Sequence, residues 1–210
     1  MKILFLGDSI TDMSRKRDCD GNVESYGDGY VFLVAGKLLS ENPQKYTIIN
    51  RGISGNRVVD LYARIKKDVW NLQPDVLNIL IGVNDIWHEL GDQNGVDVVR
   101  YENIYRMLIE ETIARLPNLK ITLMEPFILH GRAVDFLGYE EFSEVKEYAK
   151  VVKKLAEEYN LTFIPLQKKF DEMAKKYGEQ YYLYDGVHPD IAGAALIAGE
   201  WLNAFEKMEK

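Results

Sequence analysis

Ile3-Leu4-Phe5-Leu6-Gly7-Asp8-Ser9 opens with an unbroken apolar run, which Gly7 closes, and two polar residues come at once after it. A run this short, apolar at every position, fits a strand buried on both faces rather than one with a wet face. Four more runs repeat the pattern: Tyr46–Asn50 before Gly52, Val76–Ile81 before Gly82, Ile121–Met124 before Pro126, and Leu161–Leu166. Pro165 inside the last run points to an edge strand, because proline cannot donate to a ladder. Helical spacing fills the gaps. Val31, Val34, Ala35, Leu38 and Leu39 form one apolar stripe. Ile104, Leu108, Ile109 and Ile113 form another within Tyr101–Arg115, and Val145, Tyr148, Ala149, Val152, Leu155, Ala156 and Tyr159 a third. Leu61–Trp70 and Ala192–Phe205 are further helices, the last with Pro189 placed to open it.

Strand and helix in alternation imply right-handed crossovers and a parallel sheet covered on both faces. The expected fold is a three-layer α/β/α sandwich with five strands in flavodoxin-like order 2-1-3-4-5. No repeat, linker or low-complexity tract interrupts it, so a single domain over 1–210 is expected. The polar, glycine-bearing stretches Asp12–Gly29 and Phe127–Phe142 come after strand ends and would overhang the carboxyl edge, where open α/β sheets bind ligands. Whether they form a lid or an interface is open at this point.

Bulk properties narrow the partners. The net charge of −7 and the lack of a dense basic stripe argue against nucleic acid and against an anionic membrane surface. No stretch approaches the roughly 20 apolar residues of a membrane span. The N-terminal apolar run is too short for a signal peptide and Asp8 interrupts it. Cys19 is the only cysteine, so no intrachain disulfide can form. These features point to a cytoplasmic protein. A homo-oligomer is left open.

Chemistry gathers at the strand ends. Ser9 lies directly after the first strand, but a free serine is a poor nucleophile and needs a base. Among three histidines, His188 in Asp185-Gly186-Val187-His188-Pro189 is the best candidate. Asp185, three residues before it, can accept a hydrogen bond from the imidazole and steady the imidazolium. It would also offset the positive end of the last helix. Asn84, read as the end of the third strand, offers a side-chain amide. Gly55, in Arg51-Gly52-Ile53-Ser54-Gly55-Asn56, offers a backbone N–H with no side chain in the way. With the Ser9 N–H these would make three donors for an oxyanion. Asp8, Arg57, Trp87 and Tyr184 are candidates for substrate contact. Each has a bland competitor: a helix cap for Asp8, a surface ion pair for Arg57, simple packing for the aromatics. His88 and His130 read as surface or loop histidines, and Arg15-Lys16-Arg17 as a solvated loop face.

These blocks resemble the SGNH hydrolases, also called the GDSL esterase/lipase family. Phe5–Thr11, Asn50–Asn56, Gly82–Asp85 and Asp185–Pro189 match four family blocks in order. The resemblance implies Ser9 as nucleophile, Gly55 and Asn84 as oxyanion donors, Asp185 and His188 as acid and base, and neither metal nor cofactor. Gly27–Val31, Arg51–Asn56 and Ile81–Trp87 look most like intracellular bacterial carbohydrate esterases such as acetylxylan esterases. The expected substrate is therefore a small-molecule or oligosaccharide ester. Three other readings compete. One is a lipase- or thioesterase-type acylhydrolase of the same family. Another is a metal-dependent phosphoesterase using Asp8, Asp12, Asn84, Asp85 and His188. The third is a non-catalytic flavodoxin-like binding module.

Overall fold

The computed structural model describes all 210 residues. Its five strands are β1 (Lys2–Gly7), β2 (Thr47–Gly52), β3 (Val76–Leu80), β4 (Lys120–Met124) and β5 (Thr162–Ile164). They form one parallel sheet in the order β2-β1-β3-β4-β5, as expected from the sequence. Every residue of β3 is buried, and so is all of β1 except Lys2, which is why these runs carry no polar alternation. β5 pairs only with β4, and Pro165 lies one residue past its end. The edge reading of that proline holds.

The helices in chain order are α1 (Ser9–Asp12), α2 (Tyr30–Glu41), α3 (Val58–Ile65), α4 (Val83–Asp92) and α5 (Val98–Arg115). They continue with α6 (Arg132–Leu137), α7 (Tyr139–Phe142), α8 (Val145–Glu158), α9 (Gln167–Tyr177) and α10 (Ile191–Met208). α2 packs against α10, while α3, α5 and α8 pack in series. A single hydrophobic cluster of 55 buried residues fills the layers. No helix is long and apolar enough to cross a membrane.

Several expectations need correction. Asn84 does not end the third strand: β3 stops at Leu80 and α4 begins at Val83, so Asn84 and Asp85 sit in the first turn of that helix. Leu61–Trp70 is not one regular helix. α3 starts earlier, at Val58, and widens into a π-helical turn over Lys66–Trp70, where the Asn71 N–H reaches the Lys66 carbonyl. α9 is not among the expected helices, although Phe170, Ala174 and Tyr177 carry its spacing. Pro189 does not occupy the first turn of α10. Asp190 caps that helix, and Pro189 pairs with Leu183 in an isolated bridge.

One polar chain crosses the apolar interior. Thr122 Oγ1 donates to Asn78 Oδ1 at 2.8 Å, and Asn78 Nδ2 donates to the Tyr30 hydroxyl at 3.2 Å. That hydroxyl is 3.0 Å from Thr11 Oγ1. Buried polar groups persist when paired in this way. Here the pairing links β4, β3 and α2 to the helix that begins with Ser9.

Candidate active site

Sheet register brings the separated blocks together. Gly7 pairs with Gly52 on one side and Leu80 on the other, so three strands end at one level. Beyond the ends of β1, β2 and β3 lie, in turn, Ser9, the 53–56 turn and α4. Ser9 heads α1, with Asp8 as its cap: Asp8 Oδ1 accepts the Ile10 N–H at 2.9 Å. The capping reading of Asp8 is therefore correct. At 1% exposure it is buried next to Ser9, out of a substrate's reach.

Ser9 Oγ lies 2.8 Å from His188 Nε2, and His188 Nδ1 lies 2.7 Å from Asp185 Oδ2. Asp185 Oδ1 also accepts the N–H groups of Val187 (3.0 Å) and His188 (2.8 Å). Burial opposes the Asp185 charge, but the hydrogen bonds from His188 and these backbone groups outweigh it, and its carboxyl stays below the usual range. Burial likewise opposes a charged imidazole, yet the bond and charge of Asp185, with Asp8 beyond, hold His188 above its ordinary value. The tight turn needs Gly186, whose φ is +98°. The Phe127–Phe142 stretch braces this turn: Leu129 N–H donates to the Gly186 carbonyl and Ala133 N–H to the Asp185 carbonyl.

The donor side is built with the same care. Gly55 has φ +80°, a left-handed conformation that favours glycine. Asn84 Nδ2 donates one hydrogen to the Asn56 carbonyl at 3.1 Å, which leaves its second free. One turn along α4, His88 Nε2 lies 3.1 Å from the Gly55 carbonyl. His88 is thus not the loop histidine expected from the sequence; it pins the turn that carries Gly55. The Asp12–Gly29 stretch holds the other side. Asp12 Oδ2 accepts the Ser54 N–H at 3.0 Å, and Arg15 Nε donates to the Gly52 carbonyl at 2.7 Å. Arg15 is half-buried rather than solvated. Arg64 ties in Asn56 Oδ1, at 2.8 Å, and the carbonyls of Gly7 and Arg51.

The four candidates for substrate contact divide. Trp87 and Tyr184 both flank the imidazole, with ring centroids 5.9 and 5.8 Å from that of His188. Tyr184 is half exposed, so it offers open aromatic surface beside His188. Arg57 is the ion pair that competes with substrate contact in the sequence reading: it binds Asp60 and the Asn94 carbonyl. The side chains considered as metal ligands go elsewhere. Asp85 caps α3 by accepting the Val58 N–H at 3.0 Å, and Asp12 serves Ser54. No cluster of three or more His, Cys, Asp or Glu side chains is placed to hold a metal ion.

A serine hydroxyl bonded to a histidine–carboxylate pair, with amide donors nearby, is the kind of arrangement acyl transfer uses. Comparisons with known proteins agree. Residues 5–196 match the model of the GDSL-like lipase/acylhydrolase family. The chain is 38% identical over 208 residues to an acetylxylan esterase of Geobacillus stearothermophilus, covering 96% of this chain and 92% of that protein. Its fold is similar to the crystal structure of that organism's acetylxylan esterase Axe2, with TM-score 0.85, 36% identity, and 97% and 93% of the two chains covered. It is also similar to a GDSL-like lipase from Parabacteroides merdae, with TM-score 0.89, 44% identity, and coverage of 97% and 94%. The chain belongs to the GDSL-like lipase/acylhydrolase family and is a carboxylic ester hydrolase.

Proposed function

We propose that the chain is a serine esterase that removes short acyl groups, acetyl foremost, from carbohydrate esters such as acetylated xylo-oligosaccharides. One observation carries the mechanism: the hydrogen-bonded line from Ser9 Oγ through His188 to Asp185. Ser9 Oγ attacks the ester carbonyl carbon while His188 Nε2 takes the hydroxyl proton. Asp185 holds the Nδ1–H tautomer and offsets the positive charge that forms. The carbonyl oxygen becomes an oxyanion, bound by the N–H groups of Ser9 and Gly55 and the free amide hydrogen of Asn84. As the intermediate collapses, the bond to the alcohol oxygen breaks and His188 gives that oxygen its proton. Water, deprotonated by His188, then attacks the acyl-serine; the acid leaves and Ser9 regains its hydrogen.

The acyl and alcohol preferences rest on likeness to the acetylxylan esterase and on the aromatic faces of Trp87 and Tyr184, which suit a sugar ring. Cys19, a lone thiol, suits a reducing cytoplasm. Ser9→Ala should lower kcat on p-nitrophenyl acetate by ~10⁴ or more while circular dichroism stays unchanged. Near-wild-type turnover would overturn the nucleophile assignment. The wild type should prefer p-nitrophenyl acetate to butyrate and octanoate in kcat/KM, and should release acetate from acetylated xylo-oligosaccharides. A preference for octanoate would move the protein to the lipase-type acylhydrolases of the family.

A further inference from the structure

The chain has more acidic than basic residues, yet it gathers Arg15, Arg17, Arg51, Arg64 and Lys67 around one cleft of about 470 Å³. Only Asp18, Asp20 and Asp68 line the same cleft with opposite charge. Five cations against three carboxylates leave an excess of two. Pairing concentrates that excess. Arg51 closes on Asp20 through Nη1 (2.7 Å) and Nη2 (2.5 Å), and Arg64 Nη1 closes on Asp68 at 2.6 Å. Arg17 has no hydrogen bond, its closest carboxylate being Asp12 at 3.7 Å. Lys67 has no ion pair. Arg15 donates only through Nε, to the Gly52 carbonyl, so both its terminal amino groups are unpartnered. Burial, and then the cations Arg51, Arg17 and Arg64, outweigh Asp12 and hold the Arg15 guanidinium below its usual value.

We propose that this cleft binds a small oxyanion, phosphate or carboxylate, between the unpartnered ends of Arg15 and Lys67 and the guanidinium of Arg17, whose one ion pair is the long contact to Asp12. Guanidinium groups present planar donor pairs that match such anions, and charge-assisted bonds of this kind are the strong ones. The cleft is separate from the catalytic centre, since Ser9, Gly55, Asn84 and His188 do not line it. It nonetheless touches the same backbone. Arg15, one of the anion's partners, holds the Gly52 carbonyl, and Arg64 in the cleft wall holds those of Gly7 and Arg51, so the cleft also anchors the strand ends before Ser9 and Gly55. The anion is either free in solution or carried on an acidic sugar.

Thermal melts in sodium phosphate and in sodium glucuronate, each against sodium chloride at matched ionic strength, distinguish these sources. At roughly tenfold the Kd, the bound anion should raise Tm by about 3–6 °C. Ser9→Ala should show the same rise, which separates this site from the catalytic centre. The double variant Arg17→Ala/Lys67→Ala alters two exposed side chains without hydrogen bonds and should lose more than half of the rise. A response to phosphate assigns a free anion; one to glucuronate alone assigns a carboxylated sugar. An undiminished rise in the double variant, or no rise with either anion, would overturn the proposal.

Discussion

Asp8 shows how one residue can satisfy a structural rule and still bear on chemistry. Its Oδ1 caps Ile10, as a Gly-Asp-Ser triplet before a helix suggests. Its Oδ2 is buried without a partner. Burial, opposed by the Ile10 N–H and the nearby His188, pushes its carboxyl up to about 7. The ionisable groups around it are His188, Asp12 on α1, Tyr30 on α2, Asp85 on α4 and Tyr101 on α5. Between the unfolded value of 3.8 and about 7, the folded protein keeps a proton that the unfolded chain has released. Stability from this group is therefore complete below pH 3.8 and declines as pH rises to about 7. Asp8→Asn keeps the capping oxygen and cannot titrate. Its Tm, relative to wild type, should be more favourable at pH 8 than at pH 4. The anionic form also supports the His188 imidazolium, so the acid limb of kcat/KM should shift to lower pH in the variant. A Tm difference flat across pH would show that Asp8 titrates alike in the folded and unfolded chains, and an unmoved limb would show that its charge does not reach His188. The cap is legible in the sequence, but the orphaned oxygen depends on what packs over residue 8.

At the scale of elements, α4 is where the sequence is least legible. The strand-like run Val76–Ile81 and the polar pair Asn84-Asp85 suggest a strand end and a turn. Yet Val83, Ile86, Trp87 and Leu90 carry helical spacing, and Gly82, at φ +139°, makes the sharp break between the two elements. Without the helix, the relation of Asn84 to His88 is hidden. Residues four apart share one face of a helix, and these two hold the successive carbonyls of Asn56 and Gly55. Asn84 stands out in the sequence because an amide can serve an oxyanion directly, as we propose; His88 would matter only through the turn it pins. Asn84→Ala should lower kcat on p-nitrophenyl acetate by about 10²–10³. His88→Ala should cost less, about tenfold, because the Gly55 N–H stays but is held less accurately. Most of the loss should fall on kcat rather than KM. An unchanged kcat in His88→Ala would mean that the other braces, Asp12 on Ser54 and Arg15 on Gly52, suffice alone.

For the molecule as a whole, the strand order is legible because alternation and handedness permit few topologies. The bracing of the site is not, since it uses loops whose partners lie far away in sequence. Ser9 and His188 are 179 residues apart in sequence, and one continuous core of 55 residues, drawn from the whole chain, holds their elements together. The terminal elements are tied in: β1 lies between β2 and β3, and α10 packs against α2. Such an arrangement leaves no boundary at which one part could unfold while another kept its core, so we expect a single domain that unfolds as one unit. A urea titration tracked by far-ultraviolet circular dichroism and by residual hydrolysis of p-nitrophenyl acetate tests this. The two curves should overlay with a common midpoint and slope, as for a two-state transition. The stretches 12–29 and 127–142 decide the outcome, because they brace the turns that carry Gly55 and His188. If those braces are weaker than the core, the site opens locally first and activity falls at lower urea. Coincident curves would show that the loops over the carboxyl edge share the cooperativity of the sheet beneath them, and an early loss of activity would show that they form a separate, less stable layer.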